Sequence, residues 1–313
     1  MTGDPSLRVT FLGDHEWSVP SLQRLAESRH EVVRVITRPP RPGRRGGDPV
    51  PNPVADAARG LRSPLAEVET VRAGEGFAAL ADPEPDVLVV VAYGEILPEQ
   101  LLAIPAIAAV NVHFSLLPEL RGASPVQAAL LQGMERTGVT TMLMDAGLDT
   151  GPVLRQRAET IATVDDAGSL GGRLARIGAE LLVETIDDLA SGAARPSPQD
   201  ESRATYAPKL GGDRRRIDWA LPAGAIVNLI RAFAPDPGAL AAFRGRPLKV
   251  VRAGVAAASG APGTIAEVGP EGFVVAAAQG GVRILEVAPA GRRRMTAAEF
   301  ARGHRPQPGE PLT

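Results

Sequence analysis

The chain has 313 residues, of which 44% are apolar and 4% aromatic, and its 34 basic and 36 acidic side chains give a formal net charge of −2. It contains no cysteine, which excludes disulfides, thiolate metal ligands and a thiol nucleophile and favours a reducing compartment, the cytoplasm. The N-terminus lacks a signal-peptide pattern, and no apolar run approaches the roughly 20 residues of a membrane span, so we expect no membrane association.

Residues 1–190 alternate short apolar runs with amphipathic segments. The runs predict five β-strands, at 7–12, 31–37, 86–92, 108–114 and 140–144. Apolar spacing predicts helices at 18–28 and 124–133 and a long closing helix at 166–190. Several of the strands are apolar on both faces, so this region is predicted to be an α/β domain, Rossmann-like, with a mostly parallel sheet and helices on both faces.

Residues 191–215 are rich in Pro, Gly, Ser and charge and are predicted to be a linker. From 216 to 313, a short helix near 222–232 is followed by short β runs, which predict a small OB-like β-barrel. Residues 191–313 carry a net charge of +7, against −9 for residues 1–190. A basic C-terminal third favours an anionic partner, although from charge alone a solvated charged face explains it equally well.

In an open α/β sheet, ligands bind beyond the carboxyl ends of the strands. The chain has neither G-x-G-x-x-G nor G-x-x-x-x-G-K-[ST], so neither a dinucleotide fold nor a phosphate loop is indicated. Asp14, His15 and Glu16 follow the first strand, but three consecutive side chains do not easily converge on one ion, and we expect no metal site. Two further histidines, His30 and His304, are expected at the surface.

The fourth predicted strand, AAVNVHFS, places polar residues where a buried strand should be apolar. Asn111, His113 and Ser115 alternate with apolar residues and therefore lie on one face near the strand's exit. An unpaired buried polar group costs about 1–3 kcal/mol, so this pattern favours a functional site. A histidine satisfied within the core is the alternative. Ser115 lacks the G-x-S-x-G context of a hydrolase nucleophile.

The fifth predicted strand ends in MDAGLDTGP, where Gly147 and Gly151 flank Asp149. An Asp between two glycines is most often an ordinary turn residue. Here it leaves the sheet beside the strand that carries Asn111 and His113, so a pocket shared by the three side chains is predicted.

The motif N-V-H-x-S-L-L-P-x-x-R-G-A-x-P at 111–125, followed by L-D-T-G at 148–151, resembles the folate-dependent formyltransferases. The resemblance implies that Asn111, His113 and Asp149 are catalytic and that 10-formyltetrahydrofolate is the co-substrate, without a metal. With these roles, Asn111 and His113 are expected to donate N–H groups to the formyl oxygen. Asp149 is expected to accept from His113, to fix the imidazole tautomer and to help relay the proton of the attacking nitrogen. Matches to the family's folate side are Tyr93, Gly94, Ser115, Leu116, Leu117 and Pro118.

The C-terminal third resembles the members of this family that act on charged initiator tRNA. The matching segments are TYAPKL at 205–210, RIDW at 216–219, IRAFAPDPGA at 230–239, LKVVRA at 248–253 and AGRRRMTAAEFARGH at 290–304. The loop RPPRPGRRGG resembles the family's tRNA-contacting loop and keeps Arg41, Arg44 and Arg45 but not its lysines. After the first strand, GDHEWS stands where the family usually has G-T-P-x-F-A.

The resemblance predicts formyl transfer to the α-amino group of methionyl-tRNA, for translation initiation, by a cytoplasmic monomer. Formyl transfer to a sugar nucleotide or another small amine is the nearest alternative. A catalytically inactive tRNA-binding module and a formylfolate hydrolase are the others.

Overall fold

The computed structural model describes residues 6–41, 43 and 48–313. These residues form two compact units, one from the described parts of 1–125, 137–160 and 171–207, and the other from 126–136, 161–170 and 208–313. The segment predicted as a linker is divided between them, since residues up to Ala207 belong to the first unit. The predicted domain boundaries at 190 and 216 stay a prediction.

The first sheet has seven strands in the order β3-β2-β1-β4-β5-β6-β7. Their bounds are β1 (Arg8–Gly13), β2 (Glu31–Thr37), β3 (Leu65–Glu67), β4 (Val87–Val91), β5 (Ala108–His113), β6 (Arg136–Leu143) and β7 (Val153–Thr160). Neighbouring strands from β3 to β5 are parallel, and β5 pairs with β6 antiparallel. The prediction of a mostly parallel sheet is confirmed, although β3 and β7, which are short or largely polar, gave no apolar run to detect.

In the described part of residues 1–207, the α-helices are α1 (Val19–Ala26), α2 (Pro53–Leu61), α3 (Gly74–Ala81), α4 (Glu99–Leu102), α5 (Pro125–Leu131) and α6 (Ala167–Ser191). Nearly all of α5 and the first residues of α6 belong to the second unit. Every residue of β4 is buried, which requires cover on both faces of the sheet. Leu80 of α3 and Leu101 of α4 pack in one core cluster with Leu88. On the other face, Gly178 of α6 lies so close to Val112 that an added Cβ would be 3.0 Å from its methyl group.

The second sheet is antiparallel, in the order β10-β11-β12-β9-β8, with β13 paired to β12. Its elements are α7 (Ala223–Phe233), β8 (Ala239–Phe243), β9 (Arg246–Ala256), β10 (Ile265–Gly269), β11 (Gly272–Ala276), β12 (Gly281–Pro289), β13 (Met295–Thr296) and α8 (Ala297–His304). Residues 310–313 join its two edges, because Leu312 bridges to Phe243 on β8 and Pro311 to Thr264 before β10. The predicted C-terminal β domain is confirmed as an antiparallel sheet, and its closure into an OB-like barrel stays a prediction.

The sequence-based expectation that His30 lies at the surface is wrong. The residue is 5% exposed, its Nδ1 accepts from the backbone N–H of Leu7 at 3.2 Å, and its Nε2 lies 3.1 Å from Asp187 Oδ1. Both partners are distant in the sequence, so no local pattern indicated them. His304 is exposed as expected and stacks on Phe300 with ring centroids 4.2 Å apart. Within the described residues, we find no helix whose length and hydropathy would let it cross a membrane.

Candidate active site

Strand β5 presents the two polar side chains that the sequence singles out. It lies inside the sheet, where Asn111 is registered against Val90 of β4 and Met142 of β6, and His113 against Thr140 of β6. His113 is 5% exposed, whereas Asn111 is only partly buried. Because the strand order reverses between β1 and β4, the carboxyl ends of β1, β4 and β5 surround the crevice in which such sheets bind ligands.

Asp149 lies between these two side chains. Asn111 Nδ2 donates to its Oδ1 at 3.3 Å, the backbone N–H of Gly122 donates to its Oδ2 at 2.8 Å, and His113 Nδ1 is 3.6 Å from Oδ2. The backbone of Asp149 is left-handed, with φ of 55°, a conformation that costs a non-glycine residue free energy and occurs where the surroundings impose it. The structure therefore brings the three predicted catalytic residues together.

The surrounding turn holds Asp149 in this conformation. Asp145 Oδ1 accepts from the backbone N–H of Gly147 at 3.0 Å and from the hydroxyl of Thr150 at 2.6 Å. One donor, Gly147, precedes Asp149 in the turn, and the other, Thr150, follows it. Asp145, two residues after the end of β6, thus shapes the loop, while Asp149 points its carboxylate towards Asn111 and His113.

His113 has a hydrogen bond that the sequence does not indicate. Its Nε2 lies 2.9 Å from the carbonyl oxygen of Leu120. A carbonyl oxygen only accepts, so Nε2 carries the proton, and in the neutral ring Nδ1 is left without one. In this arrangement the Nε2–H of His113 bonds to Leu120 O and Nδ1 faces Asp149, so donation from His113 to a substrate oxygen stays a prediction.

The loop after β5 contains four of the predicted folate-side residues. Ser115 is buried and its hydroxyl donates to Glu119 O at 2.6 Å; Leu117 and Pro118 are buried, and Leu116 is partly exposed. The hydroxyl of Thr140 accepts from Leu117 N at 3.1 Å and donates to Ser115 O at 2.7 Å. The loop is rigidly attached to β6, and the predicted role of these residues in folate binding stays a prediction.

Tyr93 and Gly94, the other two predicted folate-side residues, follow β4. The Tyr93 side chain is 1% exposed within the core, and its hydroxyl has no hydrogen-bond partner among the described residues. Burial raises the pKa of Tyr93 above its ordinary value. Gly94 is exposed, with φ of 75°, a conformation that glycine adopts readily. A ligand at this edge would therefore meet the backbone of Gly94 rather than the ring of Tyr93.

Arg41 is the one predicted tRNA-contacting residue that the structure describes, since Arg44 and Arg45 lie outside the described residues. Its Nη2 is 2.9 Å from Asp14 Oδ2, while 68% of its side chain remains exposed. Asp14, 4% exposed, also accepts from Arg38 at 3.2 Å and Asn52 at 2.7 Å.

A cleft of about 210 Å³ opens beside this group of side chains. It is lined by Asp14, His15, Glu16, Pro39, Arg41, Val50, Pro51, Asn52 and Pro53. Burial lowers the pKa of His15 below its ordinary value, which favours the neutral imidazole in the wall of this cleft. In the described part of the chain, no group of three or more carboxylate or imidazole side chains is arranged to hold a metal ion.

Comparison with known families gives two matches that together cover most of the chain. The family described as formyl transferase matches residues 7–186, and its C-terminal domain matches residues 209–305. Curated relatives named methionyl-tRNA formyltransferase extend over nearly the whole length. One from Roseiflexus castenholzii is 45% identical over 98% of this chain and 99% of its own, and one from Trichlorobacter lovleyi is 43% identical over 95% and 94%.

Solved structures share the fold at low sequence identity. HypX from Aquifex aeolicus in complex with tetrahydrofolic acid superposes with a TM-score of 0.68 at 18% identity, over 95% of this chain and 47% of that one. The sugar 3N-formyl transferase WlaRD, solved in the presence of dTDP and 5-N-formyl-THF, gives a TM-score of 0.66 at 17% identity over 92% and 100%. These similarities show a common fold.

Proposed function

The chain belongs to the formyl transferase family, and we propose that it transfers the formyl group of 10-formyltetrahydrofolate to the α-amino group of methionyl-tRNA, for translation initiation. The observation that carries the chemistry is the meeting of Asn111, His113 and Asp149 at the sheet edge. The acceptor is supported by relatives of 41–45% identity that carry that name and match the basic C-terminal third as well.

Asn111 is the proposed donor to the formyl oxygen. The co-substrate supplies an electrophilic formyl carbon attached to a nitrogen leaving group. When the amine of the acceptor bonds to that carbon, negative charge develops on the oxygen. Asn111 Nδ2 has two N–H groups, and its bond to Asp149 occupies one of them. The second is available for the oxygen, and losing one such donor typically costs about 2.7–4 kcal/mol in the transition state.

His113 and Asp149 are proposed to hold the proton that the attacking nitrogen gives up. With Nε2–H bonded to Leu120 O, the only vacant position on the ring is Nδ1, 3.6 Å from Asp149 Oδ2. A proton taken up there lies between an imidazole and a carboxylate, which stabilises it electrostatically. The same proton then passes to the folate nitrogen as its bond to the formyl carbon breaks, so that tetrahydrofolate and formyl-methionyl-tRNA leave with the proton balance closed.

We propose that the folate lies at the ends of β1, β4 and β5, beside the loop of Ser115, Leu116, Leu117 and Pro118 and the backbone of Gly94. The buried position of Tyr93 in the core under this edge supports the proposal. We assign these six positions to the folate side. Partly exposed Leu116 is the side chain that we expect to contact the pteridine.

We assign Arg41, Arg44 and Arg45 to tRNA binding. Arg41 is exposed along most of its side chain even while it pairs with Asp14, so its remaining N–H groups can contact phosphate. The +7 charge of residues 191–313 supports the same partner, because neutralised phosphates supply much of the affinity for nucleic acid. A protein with this acceptor would work in the cytoplasm, and we propose that it does so as a monomer, which light scattering of the purified protein tests.

One experiment separates the proposed function from its alternatives. The protein is incubated with 10-formyltetrahydrofolate and, in separate reactions, methionyl initiator tRNA, an amino-sugar nucleotide, or no acceptor. We expect formyl-methionine only with the tRNA. Formylated sugar would identify the small-amine alternative, free formate without acceptor a hydrolase, and tight tRNA binding without any turnover an inactive binding module.

A further inference from the structure

Residues 199–207, which the sequence placed in a linker, are hydrogen-bonded to the two loops of the candidate active site. Gln199 Nε2 donates to the backbone oxygens of Asp149 at 2.8 Å and Gly151 at 2.7 Å. The side chain therefore binds the backbone of the L-D-T-G turn on both sides of Thr150. All the residues in this contact belong to the first unit.

The other end of the same side-chain amide is held by Arg121. Gln199 Oε1 accepts from Arg121 Nε at 3.1 Å and from Nη2 at 2.9 Å. A guanidinium only donates and a backbone carbonyl only accepts, so the orientation of the amide is unambiguous. The Gln199 side chain thus links the R-G-A turn after β5 to the turn after β6 that carries Asp149.

Arg121 is an unusual anchor because it is fully buried, with 0% exposure. Its charge is met by Glu201 of the same segment, with Nη2 to Oε1 at 2.7 Å and Nη1 to Oε2 at 2.9 Å. A buried charge without its partner is strongly destabilising, so the segment and the R-G-A turn are firmly coupled. Glu201 itself is exposed, so the buried charge of Arg121 is paired at the surface of the protein.

The residue after Arg121 completes the connection to the carboxylate. Gly122 donates its N–H to Asp149 Oδ2 and has φ of 118°. A Cβ at this position would lie 2.7 Å from the carbonyl oxygen of Ala207, so the segment also packs directly on this turn. Asp149 is consequently held twice by one network, at its carboxylate through Gly122 and at its backbone through Gln199.

We propose that Gln199 is a positioning residue for formyl transfer: it fixes the left-handed turn that aims Asp149 at Asn111 and His113. This inference rests on the proposed function. Gln199 acts on the distance between Asp149 and His113, and this distance sets where the transferred proton is held. We expect it to have no effect on the affinity for either substrate. A small misplacement of a reacting group can lower a rate by up to about a hundredfold.

The test uses two variants and a matched control in the full-length protein. Gln199→Leu removes all of the amide's bonds at similar volume. Gln199→Glu keeps an acceptor for Arg121 but has no N–H for Asp149 O and Gly151 O. This variant therefore tests the two hydrogen bonds to the turn separately from the bonds to Arg121. The control is Ser202→Ala, in the same segment, because its exposed hydroxyl donates to Asp200 Oδ1 and contacts neither loop of the candidate site among the described residues.

We expect both Gln199 variants to lower kcat about tenfold or more, with KM for tRNA and folate within twofold of wild type, and Ser202→Ala to leave both unchanged. A loss of stability alone would lower Tm without this separation of kcat from KM, so thermal unfolding is measured in parallel. A kcat within twofold of wild type for a folded Gln199→Glu protein would overturn the proposal.

A second measurement does not depend on turnover. The chain has four histidines, so the imidazole resonances of His113 can be assigned by comparison with a His113→Gln protein. We expect its ring shifts to move in Gln199→Leu and Gln199→Glu and to stay in place in Ser202→Ala. Unchanged His113 shifts would refute the positioning role even if the proposed function is correct, whereas moved shifts in a protein without formyl transfer would refute only the function.

Discussion

Replacement of Asp149 by asparagine tests the proton-holding role most directly. The carboxylate accepts from Asn111 at 3.3 Å and from Gly122 at 2.8 Å and faces His113 Nδ1 at 3.6 Å. The two donors approach different carboxylate oxygens, and an asparagine has an oxygen at only one of these positions, so one donor would face an N–H group. The amide N–H groups also offer nothing to a protonated Nδ1. Asparagine tolerates left-handed backbone, so the turn itself should be retained.

The expected result is a kcat reduced by about 10²–10³-fold, because one preorganised electrostatic partner of the reacting groups is typically worth about 2.7–4 kcal/mol. KM and Tm should change little. Single-turnover formylation of methionyl-tRNA with saturating folate measures the chemical step. Asp56→Asn is the matched control, since that exposed carboxylate pairs, among the described residues, with the nearby surface residue Arg59 at 3.3 Å. A folded Asp149→Asn protein within threefold of wild-type kcat would refute the mechanism.

Three further predictions follow. Asn111→Ala should fold and lose at least about a hundredfold in kcat, measured in the same assay; turnover near that of wild type would contradict the oxyanion role. Arg45→Ala should raise KM for tRNA with little change in kcat and reduce the dependence of log KM on log salt by about one unit, and an unaltered salt slope would count against this loop. Burial lowers the pKa of His30, with Asp187 opposing it, so the folded protein binds a proton less readily than the unfolded chain. The free energy of unfolding should therefore decrease as the pH is lowered from about 6.5. Urea denaturation at several pH values should show a smaller decrease for His30→Gln than for the wild-type protein.

The catalytic face of β5 could be predicted because its signal is local. Period-2 alternation places Asn111 and His113 on one side of a strand whatever its neighbours are, and a polar pair there conflicts with burial unless it has a function. Asp149 was accessible by a related argument, since it lies in the turn at the end of a strand. The pairing of β5 with β6, which brings that turn alongside, is the only non-local step that the prediction required.

The tautomer of His113, that is, which ring nitrogen carries the hydrogen, could not be predicted in the same way. It depends on the carbonyl oxygen of Leu120, a backbone group whose direction is set by the left-handed conformation of Leu120, with φ of 60°. No side-chain pattern encodes that direction. Leu120 N is in turn bonded to Thr205 Oγ1 at 2.8 Å, 85 residues away in the sequence. The imidazole is thus governed by a tertiary contact with a segment whose composition indicates only a linker.

The loop GDHEWS, which departs from the family's pattern, is accommodated by partners elsewhere in the chain. Ser18 Oγ donates to Val91 O at 2.7 Å, at the end of β4. The Trp17 indole packs edge-on against Phe114 and occupies space that a Cβ at Gly171 would overlap. Asp14, one of the two carboxylates of the loop, pairs with Arg38 and Arg41.

Asp14, Trp17 and Ser18 of this loop therefore each have a specific packing, charge or hydrogen-bonding partner. In the cleft between this loop and Asn52, the buried carboxylate of Asp14 holds Arg41, the first arginine of the basic loop. That ion pair fixes the direction in which Arg41 leaves the protein surface. Acceptor binding in this chain should consequently depend on Asp14 through Arg41, while the reacting groups around Asp149 remain unaffected.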